Sequence, residues 1–103
     1  MKYPSPVDRT EQYKKMLLDI IVKKLPTARI ILFGSRARGD NKEGSDIDIA
    51  LDNGTKIDPR VIIDIKGLIE DSDLPLFCDV VDIHAISDSM REKILTGGVV
   101  WKN

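Results

Sequence analysis

The chain has 103 residues, of which 42% are hydrophobic and 32% are charged, and its formal net charge is −1. This length predicts one domain with a single modest core. The near-neutral charge excludes the basic surface typical of sequence-independent nucleic-acid binding, which favours a small nucleotide or a protein as substrate. The single cysteine, Cys78, excludes an internal disulfide and is typical of the reducing cytoplasm. The sequence shows neither the pattern of a signal peptide nor the ~20 consecutive apolar residues that span a membrane.

The N-terminal third predicts a helix followed by a buried strand. Ser5 is the expected helix cap and Pro6 the first helical residue, and Pro26 ends the helix. Between them, apolar residues recur at helical spacing: Tyr13, Met16, Leu17, Ile20, Ile21 and Leu25. The next apolar run, residues 28–33, predicts a strand that stops abruptly at Gly34.

The segment after this strand combines a glycine turn with positive charge. Gly34 allows a ligand to approach the main chain closely. We expect Ser35 to cap a short helical turn that leaves backbone N–H groups free for phosphate. Arg36 and Arg38 add positive charge nearby, although Arg38 could instead pair with a carboxylate close to the turn.

Two aspartates lie in the second predicted strand, Ser45 to Leu51. Asp46 and Asp48 alternate with apolar residues, so both carboxylates should face the same side, about 7 Å apart. Such a pair repels unless a cation lies between the two groups, and Mg²⁺ prefers oxygen ligands and shares phosphate oxygens. Ser45 either begins the strand or contributes a ligand.

A second helix and a third strand follow. Asp58 is the expected cap of the helix, Pro59 takes its first position, and residues 71–75 form a loop. The predicted strand, Leu76 to Ile83, carries aspartates on opposite faces. Asp79 is our choice for a third carboxylate in the site, and Asp82 is the alternative.

The C-terminal part predicts one more helix and a short tail. The helix runs from Ser87 to Leu95 with Ser87 or Asp88 as its cap, and two glycines stop it. The tail, residues 99–101, is apolar, and Trp101 either packs in the core or anchors an interface. Cys78 is expected to fill the core, and His84 to be hydrogen-bonded at a strand end.

The stretch from Gly34-Ser35-Arg36-Ala37-Arg38-Gly39 to Ser45-Asp46-Ile47-Asp48 resembles the signature of the polymerase β-type nucleotidyltransferase superfamily. The short chain is most similar to its minimal nucleotidyltransferase (MNT) family. The elements and this resemblance together predict an α/β fold, a small mixed sheet with helices mainly on one face. The expected element order is helix, strand, strand, helix, strand, helix.

The resemblance implies transfer of AMP from ATP with Mg²⁺. Asp46, Asp48 and Asp79 would hold the metal, and Asp79 would also help deprotonate the acceptor hydroxyl. Gly34 and Ser35 would bind the β- and γ-phosphates, with Arg38 and Ser45 as further nucleotide-binding candidates.

The resemblance also implies a partner, because larger relatives have a further helical domain and MNT proteins are usually paired with a helical HEPN-domain protein. The favoured role is that of an antitoxin that transfers AMP to a hydroxyl of this partner. Two alternatives stay open: a module that neutralises its partner by contact alone, and an enzyme that modifies a small-molecule hydroxyl.

Overall fold

Four strands form one mixed sheet in the order β3-β2-β1-β4 in the computed structural model, which describes residues 9–42 and 44–103. The strands are β1 (Arg29–Phe33), β2 (Ile47–Asp52), β3 (Cys78–Asp82) and β4 (Val99–Lys102). The helices are α1 (Thr10–Lys24), α2 (Ser35–Arg38), α3 (Pro59–Glu70) and α4 (Asp88–Gly97). Within these two ranges, no helix is long and apolar enough to cross a bilayer.

The main core lies between one side of the sheet and helices α1 and α3. We call this side the core face. Leu17 and Ile21 of α1 and Ile65 of α3 are fully buried there. Strand residues of the same cluster include Ile30, Leu32, Ile47, Ile49, Leu51 and Val80. The alternation of apolar residues along β2 thus directs one set of side chains into this core.

The opposite side of the sheet, which we call the α4 face, carries a smaller cluster. Ile31, Ala50, Ile83 and Ile94 are buried in it, and Ile94 comes from α4. The predicted arrangement, with helices mainly on one face of a small mixed sheet, is therefore confirmed. Two helices cover the core face, and α4 packs against the other.

Helix boundaries follow capping chemistry where the sequence offers it. Asp58 accepts a hydrogen bond from the Arg60 N–H, and Pro59 is the first residue of α3, as predicted. Ser87, one of the two expected caps, accepts a hydrogen bond from the Met90 N–H at the start of α4. The start predicted for the first helix, at residues 5–8, lies outside the described residues.

The C-terminal tail was predicted wrongly, because it is a strand. β4 pairs antiparallel with β1, with Ile31 opposite Val100 and a register shift between Ile30 and Ile31. Trp101 is buried in the main core, which decides between the two roles considered for it. The signal was missed because a short apolar segment becomes a strand only when a neighbouring edge supplies hydrogen bonds.

The turn between α4 and β4 gives a prediction with a built-in control. A Cβ at Gly98 would lie 2.5 Å from the Ile31 Cγ2 atom and 2.5 Å from the Ile94 carbonyl oxygen, whereas one at Gly97 would meet nothing within 4 Å. Gly98→Ala should therefore lower the free energy of unfolding by about 1–3 kcal/mol through overpacking. Gly97→Ala should leave it unchanged or raise it by up to ~1 kcal/mol. Urea unfolding of both variants tests this, and equal stability of the two would contradict the packing described here.

Candidate active site

A row of three side chains crosses the α4 face of the sheet. Phe33 of β1 lies opposite Asp48 of β2 in antiparallel register, and Asp48 lies opposite Asp79 of β3 in parallel register. Residues directly opposite each other in neighbouring strands share a face. The sheet therefore brings together two carboxylates that are 31 positions apart in the sequence.

The environment of Asp48 is unfavourable for its charge. Asp48 is half-buried, and its pKa is raised above the ordinary value, first by burial and then by the negative charges of Asp79 and Asp46. The positive charge of Arg38 acts in the opposite direction. Asp46 itself is exposed and lies just before β2, rather than inside the strand as predicted. The three aspartates thus form one electrostatically coupled group.

The same negative charge reaches the neighbouring cysteine. Cys78 is buried, as predicted, and burial, followed by the charges of Asp48, Asp79 and Asp46, raises the pKa of its thiol to about 12. The thiol therefore stays neutral at physiological pH, and Cys78 has the character of a small core residue.

Gly34 forms the turn between β1 and α2 and contacts the carboxylate of Asp48. Its φ of 76° is positive, and a Cβ atom at this position would collide with the Asp48 carboxylate. Glycine is therefore required here for both backbone conformation and space. It also corrects one expectation: Gly34, and not Ser35, is the N-cap of α2, and no side chain caps this turn. Ser35 is instead the first helical residue.

The two arginines of the turn have different surroundings. Arg36 is buried and donates to the Ser45 carbonyl oxygen at 2.8 Å and to the Thr10 hydroxyl at 3.0 Å, with its guanidinium 5.6 Å from the Tyr13 ring centroid. Arg36 is therefore enclosed, and this side chain ties α2 to α1 and to the loop before β2.

Arg38, in contrast, is mostly exposed and pairs with Asp40 at 3.2 Å. Pairing with a carboxylate near the turn was one of the two possibilities predicted for Arg38. Such an exposed pair is weak and easily replaced by a stronger anion. Arg38 thus remains the arginine of the turn that can meet a ligand.

Ser45 has a local hydrogen-bonding role. Its hydroxyl accepts a hydrogen bond from the Lys42 N–H at 2.9 Å, and its carbonyl oxygen accepts from Arg36. Both bonds shape the loop that leads to Asp46. The position of Ser45 therefore supports the site through the backbone, and its part in ligand binding stays a prediction.

The two candidate aspartates of β3 are separated by the sheet. Asp82 is buried, and its carboxylate accepts hydrogen bonds from the Ile57 N–H at 2.7 Å and the His84 N–H at 2.9 Å. Asp79 is half-buried beside Asp48. His84 is hydrogen-bonded at the strand end, as expected, with its Nε2 atom 2.7 Å from Asp52. The geometry therefore favours Asp79 over Asp82 as the third carboxylate.

The carboxylates of Asp46, Asp48 and Asp79 form the oxygen donor set that Mg²⁺ would meet. Over residues 9–42 and 44–103, no three His, Cys, Asp or Glu side chains converge as a complete metal site. Mg²⁺, however, needs only one or two protein carboxylates and takes waters and substrate phosphate oxygens as its other ligands. The hard oxygen donors of the aspartate group, together with the raised pKa of Asp48, fit a cation that binds along with its substrate.

A cavity of about 410 Å³ adjoins the Gly34 turn on the α4 face. Its lining includes Arg38 and, from α4, Lys93 and Met90. These two α4 residues were not among those predicted from the sequence to be functional. The only signal available was the spacing of residues 90, 93, 94 and 97 on one helix face, which does not say what that face packs against.

Comparison with known proteins identifies relatives of the chain. The profile of the family described as "Polymerase beta, Nucleotidyltransferase" matches residues 15–103. The Haemophilus influenzae protein named "Probable protein adenylyltransferase MntA" is 32% identical over 75 residues, which are 73% of this chain and 66% of that protein. The chain thus spans just under two thirds of the length of this curated relative.

Solved structures share the fold. A crystal structure of a toxin-antitoxin with AMP-PNP superimposes with a TM-score of 0.74 at 25% identity, covering 85% of this chain and 71% of that one. A complex of tri-AMPylated Shewanella oneidensis HEPN toxin with MNT antitoxin matches with a TM-score of 0.70 at 22% identity, over 88% of this chain and 70% of that one. At such low identity the second match shows the fold alone.

The contrast between Asp82 and Asp79 can be measured as stability. Asp82→Ala leaves two backbone N–H groups without their acceptor, so it should lower the free energy of unfolding by about 2–4 kcal/mol. Asp79→Ala serves as the control and should change it by less than about 1 kcal/mol, because no backbone N–H group in the described part of the chain donates to Asp79. Chemical denaturation of both variants decides the matter. A large loss for Asp79→Ala would show that Asp79 is structural.

The pKa of Asp48 predicts how stability depends on pH. Because this pKa is higher in the folded than in the unfolded chain, the folded protein holds more protons between the two values, and ionisation of Asp48 costs stability as the pH rises through this window. Asp48→Asn removes that cost. The variant should be at least as stable as the native chain at pH 7, with any advantage shrinking as the pH falls toward the ordinary value of 3.8. Urea unfolding across this range gives the answer, and a variant less stable at pH 7 would refute it.

Proposed function

Because this chain belongs to the polymerase beta nucleotidyltransferase family, we propose that it transfers AMP from ATP to a hydroxyl group of a partner protein. The observation that carries this proposal is the register that places Asp48 beside Asp79 and against the Gly34 turn. Family membership confirms the resemblance seen in the sequence. We propose ATP as the donor, a protein hydroxyl as the acceptor and Mg²⁺ as the metal.

The chemistry follows from the position of each group. The acceptor oxygen attacks the α-phosphorus of ATP, the bond to the leaving pyrophosphate breaks, and the hydroxyl proton passes to Asp79. Gly34 and Ser35 hold the β- and γ-phosphates, and Arg38 adds positive charge. Mg²⁺ held by Asp46, Asp48 and Asp79 would neutralise charge on the phosphates and on the pentavalent phosphorus.

The positions of Asp48 and Asp79 in the sheet give them distinct roles in this proposal. Asp48 lies against the main chain at Gly34, which fixes its carboxylate in one position. Asp79 belongs to β3, an edge strand of the sheet. An acceptor can approach an edge strand from outside, so the outer carboxylate is the one that meets the acceptor hydroxyl.

The acceptor is proposed from the relatives. The Haemophilus influenzae relative is named a probable protein adenylyltransferase. Two structures that share the fold are a toxin-antitoxin with AMP-PNP and a complex of AMPylated HEPN toxin with MNT antitoxin. We propose that this chain, too, is the antitoxin of such a pair, that its partner is a helical HEPN-domain protein, and that the reaction takes place in the cytoplasm. The net charge of −1 does not favour sequence-independent binding of nucleic acid and agrees with a protein acceptor.

The proposal predicts that single carboxylates are essential for transfer and dispensable for folding. Asp46→Asn and Asp48→Asn keep the shape of the side chain but remove a charge needed for metal binding. Each should reduce AMP incorporation from labelled ATP into the HEPN-domain partner by orders of magnitude. Asp64→Asn, an exposed position on α3, is the matched control and should have full activity.

Two further measurements interpret this result. The thermal unfolding temperature should be the same or higher in both variants, since like charges repel without a cation. Complex formation with the partner protein should be unchanged. If the double variant still protects cells from the partner as well as the native chain does, neutralisation works by contact and the enzymatic proposal is wrong. Labelling of a small molecule instead of the protein would change the acceptor class.

A further inference from the structure

The cavity beside the Gly34 turn continues the proposed active site away from the aspartates. Phe33 and Gly34 line this cavity. Phe33 also lies directly opposite Asp48 in the sheet. Its volume of about 410 Å³ is in the range of pockets that bind small ligands. A molecule that reaches from the aspartates past Gly34 would therefore enter this cavity.

The opposite wall of the cavity is one face of α4. Met90, Lys93, Ile94 and Gly97 line it, with the spacing of a single helical stripe. Ile94 is buried, and Met90 packs against the same cluster. Lys93 is the charged member of this stripe, and it occupies a position where the pattern would otherwise favour an apolar residue.

The charges around the cavity are of one sign. Arg38 and Lys93 line it from two different elements, and no carboxylate is part of the lining. Among residues 9–42 and 44–103, Lys93 forms no ion pair, whereas Arg38 has only its exposed contact with Asp40. Two cations that face an apolar pocket favour an anion with more than one charge.

We propose that Lys93 binds the β- and γ-phosphates of the nucleotide donor, so that α4 supplies a phosphate-binding residue from the side opposite the aspartates. This inference rests on the proposed function, since the donor is the molecule that would extend from Asp48 past Gly34. Lys93 acts together with Arg38 on the phosphates: Arg38 lies on α2 and Lys93 on α4. The assignment gives α4 a role in substrate binding as well as in packing.

The test is a comparison of two ligands. Binding of α,β-methylene-ATP with Mg²⁺, and separately of AMP, is measured by calorimetry on the full chain without any partner. Lys93→Ala should weaken binding of the triphosphate analogue about 10-fold or more, the scale of a lost charge-assisted hydrogen bond. AMP binding should be unchanged, because AMP lacks the two phosphates in question. Lys93→Arg should keep most of the affinity for the analogue.

Lys23→Ala is the matched control, since Lys23 is an exposed lysine of α1, the helix that covers the core face. It should bind both ligands like the native chain, and thermal unfolding should be the same for all variants. If Lys93→Ala binds the triphosphate analogue as tightly as Lys23→Ala does, the inference is wrong although the proposed function stands. Equal weakening for AMP and the analogue would also refute it, because Lys93 would then contact the nucleoside. If the native chain binds no analogue at all, both proposals fail.

Discussion

The parallel register of β2 and β3 is the constraint on which the rest of the structure depends. It sets Asp48 opposite Asp79, an arrangement of like charges that by itself destabilises a sheet. The register is held by the other face of the same strands, where Ile47, Ile49 and Val80 are buried in the main core. A slip of one residue would expose these side chains and bury the aspartates. Burial of apolar side chains on one face of the sheet thus holds the two aspartates together on the other face, despite their repulsion.

The two faces of the sheet have separate tasks. Helices α1 and α3 close the core face, and their packing contributes most of the hydrophobic burial. On the α4 face the buried cluster is smaller, and the aspartates, the Gly34 turn and the cavity lie beside it. Arg36 connects the two faces of the sheet. Its side chain is buried against α1, and its own helix, α2, begins directly after Gly34. Substitutions of the aspartates, which lie beside this cluster and not in it, should therefore alter chemistry with little effect on folding.

Burial and hydrogen bonding distinguish groups that are alike in chemistry. Asp79 and Asp82 belong to the same strand, yet within residues 9–42 and 44–103 only Asp82 accepts hydrogen bonds from backbone N–H groups, which makes it part of the fold. Arg36 and Arg38 differ in the same manner, since one is enclosed and the other exposed. In both pairs the residue that does not stabilise the fold is close to the proposed site: Asp79 lies beside Asp48, and Arg38 lines the cavity next to Gly34. Such groups are free to respond to a ligand.

The sequence by itself determined the elements and the family, because alternation, capping residues and the Gly34-Ser35 and Asp46-x-Asp48 spacing are local signals. It could not determine that residues 99–102 form a strand, since that depends on the hydrogen-bonding edge of β1. Nor could it show that Arg36 is enclosed or that Lys93 lines the same cavity as Gly34. Those facts depend on contacts between residues far apart in the chain, and only tertiary packing brings such residues together.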